Sequence, residues 1–120
     1  MLVYTGKINY ESYCQDEIIT VIFDEDTESI DGPVVATWQW TQDAYGKKKA
    51  NSIHVGTLNG LRKLNTGEKE IEFLQNQAQE SYYWFKGRVV ESTLTLDMYN
   101  ERNEFCVGNI TLECTDPGFS

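Results

Sequence analysis

The chain has 120 residues, 19 acidic and 10 basic, and a net charge of −9. That length sets one domain, 1–120, able to bury a single core without staples. A field of this sign repels phosphate backbones and anionic headgroups, so no nucleic acid and no membrane is expected as a partner. The acidity is spread: residues 1–60 hold nine acids and four bases, residues 61–120 ten and six.

The chain shows period-two alternation from end to end, the pattern of half-buried strands. Residues 2–10 place Tyr4, Gly6, Ile8 and Tyr10 on one face. Residues 17–23 are apolar on both faces, which predicts a strand covered on both sides. In 34–41, Val34, Ala36, Trp38 and Trp40 alternate with Val35, Thr37, Gln39 and Thr41. Further strands are expected at 52–58, 69–75 (Ile71 and Phe73 against Glu70 and Glu72), 82–90, 93–99 (Leu94, Leu96 and Met98 together) and 104–113. Turn chemistry falls at Asp24 to Gly32, Asp43 to Gly46, Asn59-Gly60, Asn65-Thr66-Gly67 and Asn100 to Asn103. Asn59-Gly60 is the strongest hairpin signal of these. Between 90 and 93 there is no strong turn residue, so 82–99 also reads as one long bent strand. A single helical turn fits only at Asn76 to Ser81.

Four segments share a template: Tyr4-Thr5-Gly6-Lys7-Ile8, His54-Val55-Gly56-Thr57-Leu58, Phe85-Lys86-Gly87-Arg88-Val89 and Cys106-Val107-Gly108-Asn109-Ile110. Each glycine shares a face with an aliphatic residue two positions on and an aromatic or sulphur-bearing residue (His54 in the second) two positions before. Glycine inside a strand marks a bend or a close backbone approach, as a closed sheet requires. The expected fold is all-β: an up-and-down antiparallel barrel of about eight strands, lipocalin-like in size, with a β-sandwich as the alternative.

Three cysteines make an odd count. Cys106 and Cys114 lie in one predicted strand, about 26 Å apart at ~3.3 Å per residue, beyond disulfide reach. Reduced thiols in a cytoplasmic protein are the simplest reading, and the N-terminus carries no secretory pattern. The sequon at Asn109 falls inside a strand and reads as chance. The acidic run Asp24-Glu25-Asp26-Thr27-Glu28-Ser29-Ile30-Asp31-Gly32 fails the calcium-loop template, which wants glycine sixth and glutamate twelfth, where Ser29 and Val35 stand. Cys14, His54, Cys106 and Cys114 lack the short spacings of a structural zinc site, so no metal and no cofactor is expected. His54 is the only histidine, and no nucleophile elbow, phosphate loop or dinucleotide fingerprint accompanies it. No catalytic residue is assigned.

The aromatic residues carry the functional expectation. Trp38, Trp40, Tyr82, Trp84 and Phe85, with His54, are the candidate lining of a cavity or face for a small apolar ligand. As the alternative, a small acidic inhibitor or immunity-type protein would cover a basic protein partner with Asp24, Glu25, Asp26 and Glu28. The bases of Tyr45-Gly46-Lys47-Lys48-Lys49 read as a soluble hairpin tip.

Overall fold

The computed structural model describes residues 2–23, 32–41, 51–63, 66–75 and 83–115, with residues 32–33, 51–63 and 75 placed by their backbone alone. Eight antiparallel strands follow one another as a meander: β1 (Leu2–Tyr10), β2 (Cys14–Phe23), β3 (Gly32–Gln39), β4 (Asn51–Lys63), β5 (Lys69–Gln75), β6 (Trp84–Val90), β7 (Thr93–Tyr99) and β8 (Phe105–Cys114). Each pairs with its neighbour, and β1 pairs with β8 to close a barrel. The expected all-β, up-and-down barrel is therefore the fold. Among the described residues no helix is long and apolar enough to cross a membrane.

Closure rests on a short seam. β1 and β8 pair only at Tyr4–Cys114, Thr5–Glu113 and Gly6–Leu112, extended by Thr115 N donating to Val3 O at 2.8 Å. Glycine is required where the wall is tightest. A Cβ on Gly6 would meet the Thr111 carbonyl oxygen of β8, and one on Gly87 the Thr95 oxygen of β7. Both obstacles are backbone, so neither yields to a rotamer change. The fourth template segment behaves differently. Asn109 adopts φ 55° in a bulge of β8 facing β7, with its N–H donating to Asp97 Oδ1 at 3.0 Å. The extra residue breaks the alternation between Gly108 and Ile110, and Gly108 instead lies under the Phe105 ring.

Inside, alternate residues of the strands form one contiguous core: Tyr4 and Ile8, Ile19, Val21 and Phe23, Val34, Ala36 and Trp38, Ile71 and Phe73, Phe85 and Val89, Leu94, Leu96 and Met98, Ile110 and Leu112. These side chains occupy the interior, as an eight-stranded barrel permits. The outward rows carry charge, as in Glu72–Lys86–Asp97 and Glu70–Arg88–Thr95 across β5, β6 and β7. Arg88 there approaches Glu68 and Glu70 at 3.4 and 3.5 Å.

Three expectations are corrected. β2 is covered on one side only: Ile18 is 63% exposed while Ile19 and Val21 are buried, because among the described residues no second layer lies outside the barrel. Asn59-Gly60 is not a hairpin. β4 runs on to Lys63, and its pairing with β5 shifts between Leu58 and Gly60, so Asn59 is the surplus residue of a bulge. The turn comes later, with Gly67 at φ 88°. Finally, 82–99 is not one strand. β6 and β7 meet in a two-residue hairpin, Val90 opposite Thr93, with Glu91 at φ 56°. The expected turns at Asp24 to Gly32 and Asp43 to Gly46, and the helical turn at Asn76 to Ser81, lie outside the described residues. The Asn100 turn is present: its side-chain oxygen accepts from the N–H groups of Arg102 and Glu104, both at 2.9 Å.

Candidate functional site

The strand directions bring the ends of β1 and β3 and the starts of β2, β6 and β8 to the same end of the barrel. Inward-facing rings gather there. Starting from the fully buried Phe85, the centroid of Trp38 lies 5.6 Å away. Trp38 meets Trp40 at 5.9 Å and Tyr83 at 6.1 Å, and Trp40 meets Tyr83 at 5.8 Å. Tyr10 stands 6.5 Å from Trp40 and 5.2 Å from Tyr13. The rings tilt against one another at 41° to 71°. Burial decreases along the set: Trp38 is 2% exposed, whereas Tyr10, Tyr13, Trp40 and Tyr83 each keep part of their surface in water. The group is a graded aromatic cluster, termed the bowl, with buried rings as its floor and partly exposed rings as its wall.

Backbone bonds hold that wall in place. Thr41 N donates to Tyr13 O at 2.7 Å, and Tyr13 N to Tyr10 O at 2.9 Å. The Thr41 hydroxyl accepts from Gln15 N at 2.9 Å and donates to Glu17 Oε1 at 2.9 Å. These bonds tie the β1–β2 turn to the end of β3, so Tyr13 and Trp40 cannot separate without breaking them. A bulge in β2 at Asp16 (φ 53°) is stitched to β1 by Asp16 N to Asn9 Oδ1 at 2.9 Å and Asn9 Nδ2 to Asp16 Oδ1 at 3.2 Å.

Two thiols belong to the same region. Cys14 is buried and Cys106 partly so, and both are free. The Cys106 thiol donates to Glu104 O at 3.5 Å and lies beside the Tyr10 hydroxyl, so β1 and β8 also approach each other beyond their paired seam. Burial pushes the Tyr83 hydroxyl up to about 12 and the Cys14 thiol up to about 12. It also raises Tyr10, helped by the neighbouring Cys106 and Glu11. Glu101 adds to the rise at Tyr83 and Glu17 to that at Cys14. All of these groups stay neutral at physiological pH: the tyrosines are donors, and the thiols are not nucleophiles.

Of the residues expected to line a site, Trp38, Trp40 and Phe85 stand together here. Trp84 does not; it lies on the outer face, in register with Leu74 and Tyr99. His54 pairs through its backbone with Ala36, and its side chain lies outside the described residues, as does Tyr82. Asp24, Glu25, Asp26 and Glu28, and the bases of residues 47–49, also lie outside them. Tyr10, Tyr13, Tyr83, Cys14 and Cys106 were not anticipated as site residues. The available signal was positional: Tyr10 ends an inward-facing row, and Tyr83 shares a face with Phe85.

A second aromatic group lies outside. Leu74, Trp84, Tyr99 and Phe105 form a row across β5 to β8. Phe105 packs edge-on against Tyr99 at 5.9 Å, and Lys86 Nζ sits 5.2 Å over the Tyr99 ring. Among the described residues no group of three or more His, Cys, Asp or Glu side chains is placed to hold a metal ion. We found no match of this chain to a protein-family model, to a curated protein or to a solved structure.

Proposed function

We propose that this barrel is a non-enzymatic binding protein that holds a small apolar ligand against the aromatic bowl at one end. One observation carries this reading: Tyr10, Tyr13, Trp40 and Tyr83 keep accessible surface over a floor of buried Trp38 and Phe85. Ligand sites combine apolar walls with a few fixed polar groups, and the hydroxyls of Tyr10, Tyr13 and Tyr83 supply those here. Three cysteines that remain thiols support a reducing, cytoplasmic setting.

Tryptophan emission gives the test. Titration with a panel of small ring compounds and branched alcohols should shift it saturably. Trp40→Ala should remove that response, since Trp40 forms wall rather than floor, and Trp84→Ala should retain it. A panel that leaves the emission unmoved overturns the reading, and so does a Trp40→Ala variant that binds as the parent does.

A further inference from the structure

Resting on that binding reading, we propose that the group held in the bowl is a small methylated ammonium ion, an organic cation with an apolar surface. The rings themselves point this way. Two indoles and three phenols meet at tilted angles, and each ring face carries the negative lobe of its quadrupole. Such walls attract a cation whose charge is spread over methyl groups more than a neutral ligand of the same shape.

Among the described side chains, the acids near these rings have the sign that suits a cation. Glu11 adjoins Tyr10, Glu101 adjoins Tyr83 and Cys106, and Glu17 adjoins Cys14. Glu11 and Glu101 are exposed, so they focus the field at the rim without filling the bowl. Bases with described side chains do not offset them. Arg102 is bound to Glu104 at 3.0 Å, Lys86 covers Tyr99 on the outer face, and Arg88 pairs with Glu68 and Glu70 on the outer wall of the barrel. Lys7 is exposed on the outer row of β1, and Lys69 begins β5 at the opposite end. An anionic ligand would find hydroxyl donors here but no described counter-charge. A methylated ammonium leaves water easily and needs no hydrogen-bond acceptor, which suits walls that are mostly carbon.

The test compares choline with 3,3-dimethylbutan-1-ol, which has the same shape and no charge, by tryptophan emission and calorimetry at low salt. Choline and tetramethylammonium should bind, and the neutral compound at least tenfold more weakly. The Glu11→Gln/Glu101→Gln double variant should weaken choline about threefold or more and leave the neutral compound unchanged. Equal or tighter binding of the neutral compound overturns the cation and leaves the apolar site standing. If choline, its neutral counterpart and the wider panel all fail to bind, the site itself falls. Trimethyllysine, free and within a short peptide, separates the sources: tighter binding of the peptide means that the head group arrives on a protein, and equal binding that it arrives as a small molecule.

Discussion

Strand β6 sends Phe85 into the barrel and its neighbour Trp84 out of it, and the two rings end in different company. Phe85 is fully buried, stacked on Phe73 at 4.8 Å and edge-on to Trp38. Trp84 joins a row with Leu74 and Tyr99, beside the charged row Glu72–Lys86–Asp97. Both groups are aromatic and lie across one wall from each other. Inside, rings touch rings and exclude water, so each contact adds to the core and fixes the bowl above it. Outside, a ring rests on a saturated wall with water on its other side, and its removal leaves no cavity. An aromatic run in a strand thus carries two kinds of residue that only the register separates.

The largest contrast should come from truncating the two rings. Phe85→Ala should cost about 3–5 kcal/mol, the transfer loss plus the cavity left behind. Trp84→Ala should cost about 1 kcal/mol or less, as for a surface change that opens no void. Urea unfolding of both variants measures the difference, and equal losses would mean that the inner and outer sets share one core.

The glycines repeat the contrast on a smaller scale. In Gly87→Ala the new methyl meets the Thr95 carbonyl oxygen, so two strands must part, at about 1–3 kcal/mol. In Gly108→Ala it meets the far end of the Phe105 ring at 2.8 Å, and that exposed ring can turn away. The second loss should be well below the first, and Phe105→Ala should cancel it. Thermal unfolding of the two single variants and of the Gly108→Ala/Phe105→Ala pair checks this. If Gly108→Ala costs as much as Gly87→Ala, the bulge at Asn109 is as rigid as the paired wall.

Alternation showed the inner rows of β1, β3, β5 and β7 directly, because one side of each strand faces core and the other water. It failed where conformation departs from residue preference. The turns at Glu11 and Glu91 place glutamate at φ 49° and 56°, a region more often filled by glycine or asparagine, so composition gives no sign of them. At Asn59-Gly60 a strong hairpin signal is overridden by cross-strand pairing, since Leu61 must lie opposite the buried Ile71. The bowl was legible only in part for a topological reason. Trp38 and Trp40 are two residues apart, but Tyr10 and Cys106 meet only because the last strand returns to the first. Contacts created by barrel closure have no local trace in the chain.

The smallest effect expected is a change of slope with pH. Burial holds the Tyr83 hydroxyl up to about 12, against 10.0 for an ordinary tyrosine. The unfolded chain therefore releases this proton near pH 10 and the folded one near pH 12. Between those values the folded state binds more protons, so stability falls as pH rises. Below pH 10 the contribution is fully present, and it is lost as pH climbs to about 12. Cys14, raised by burial from 9.0 to about 12, and Tyr4, raised to about 12, act in the same direction. The melting temperature of the parent should decline from about pH 9 upward, and the decline above pH 10 should be shallower in Tyr83→Phe, which has no proton to lose. A Tyr83→Phe variant that follows the parent curve through pH 12 would show that water reaches this hydroxyl, and the wall of the bowl would then be wetter at Tyr83 than its burial implies.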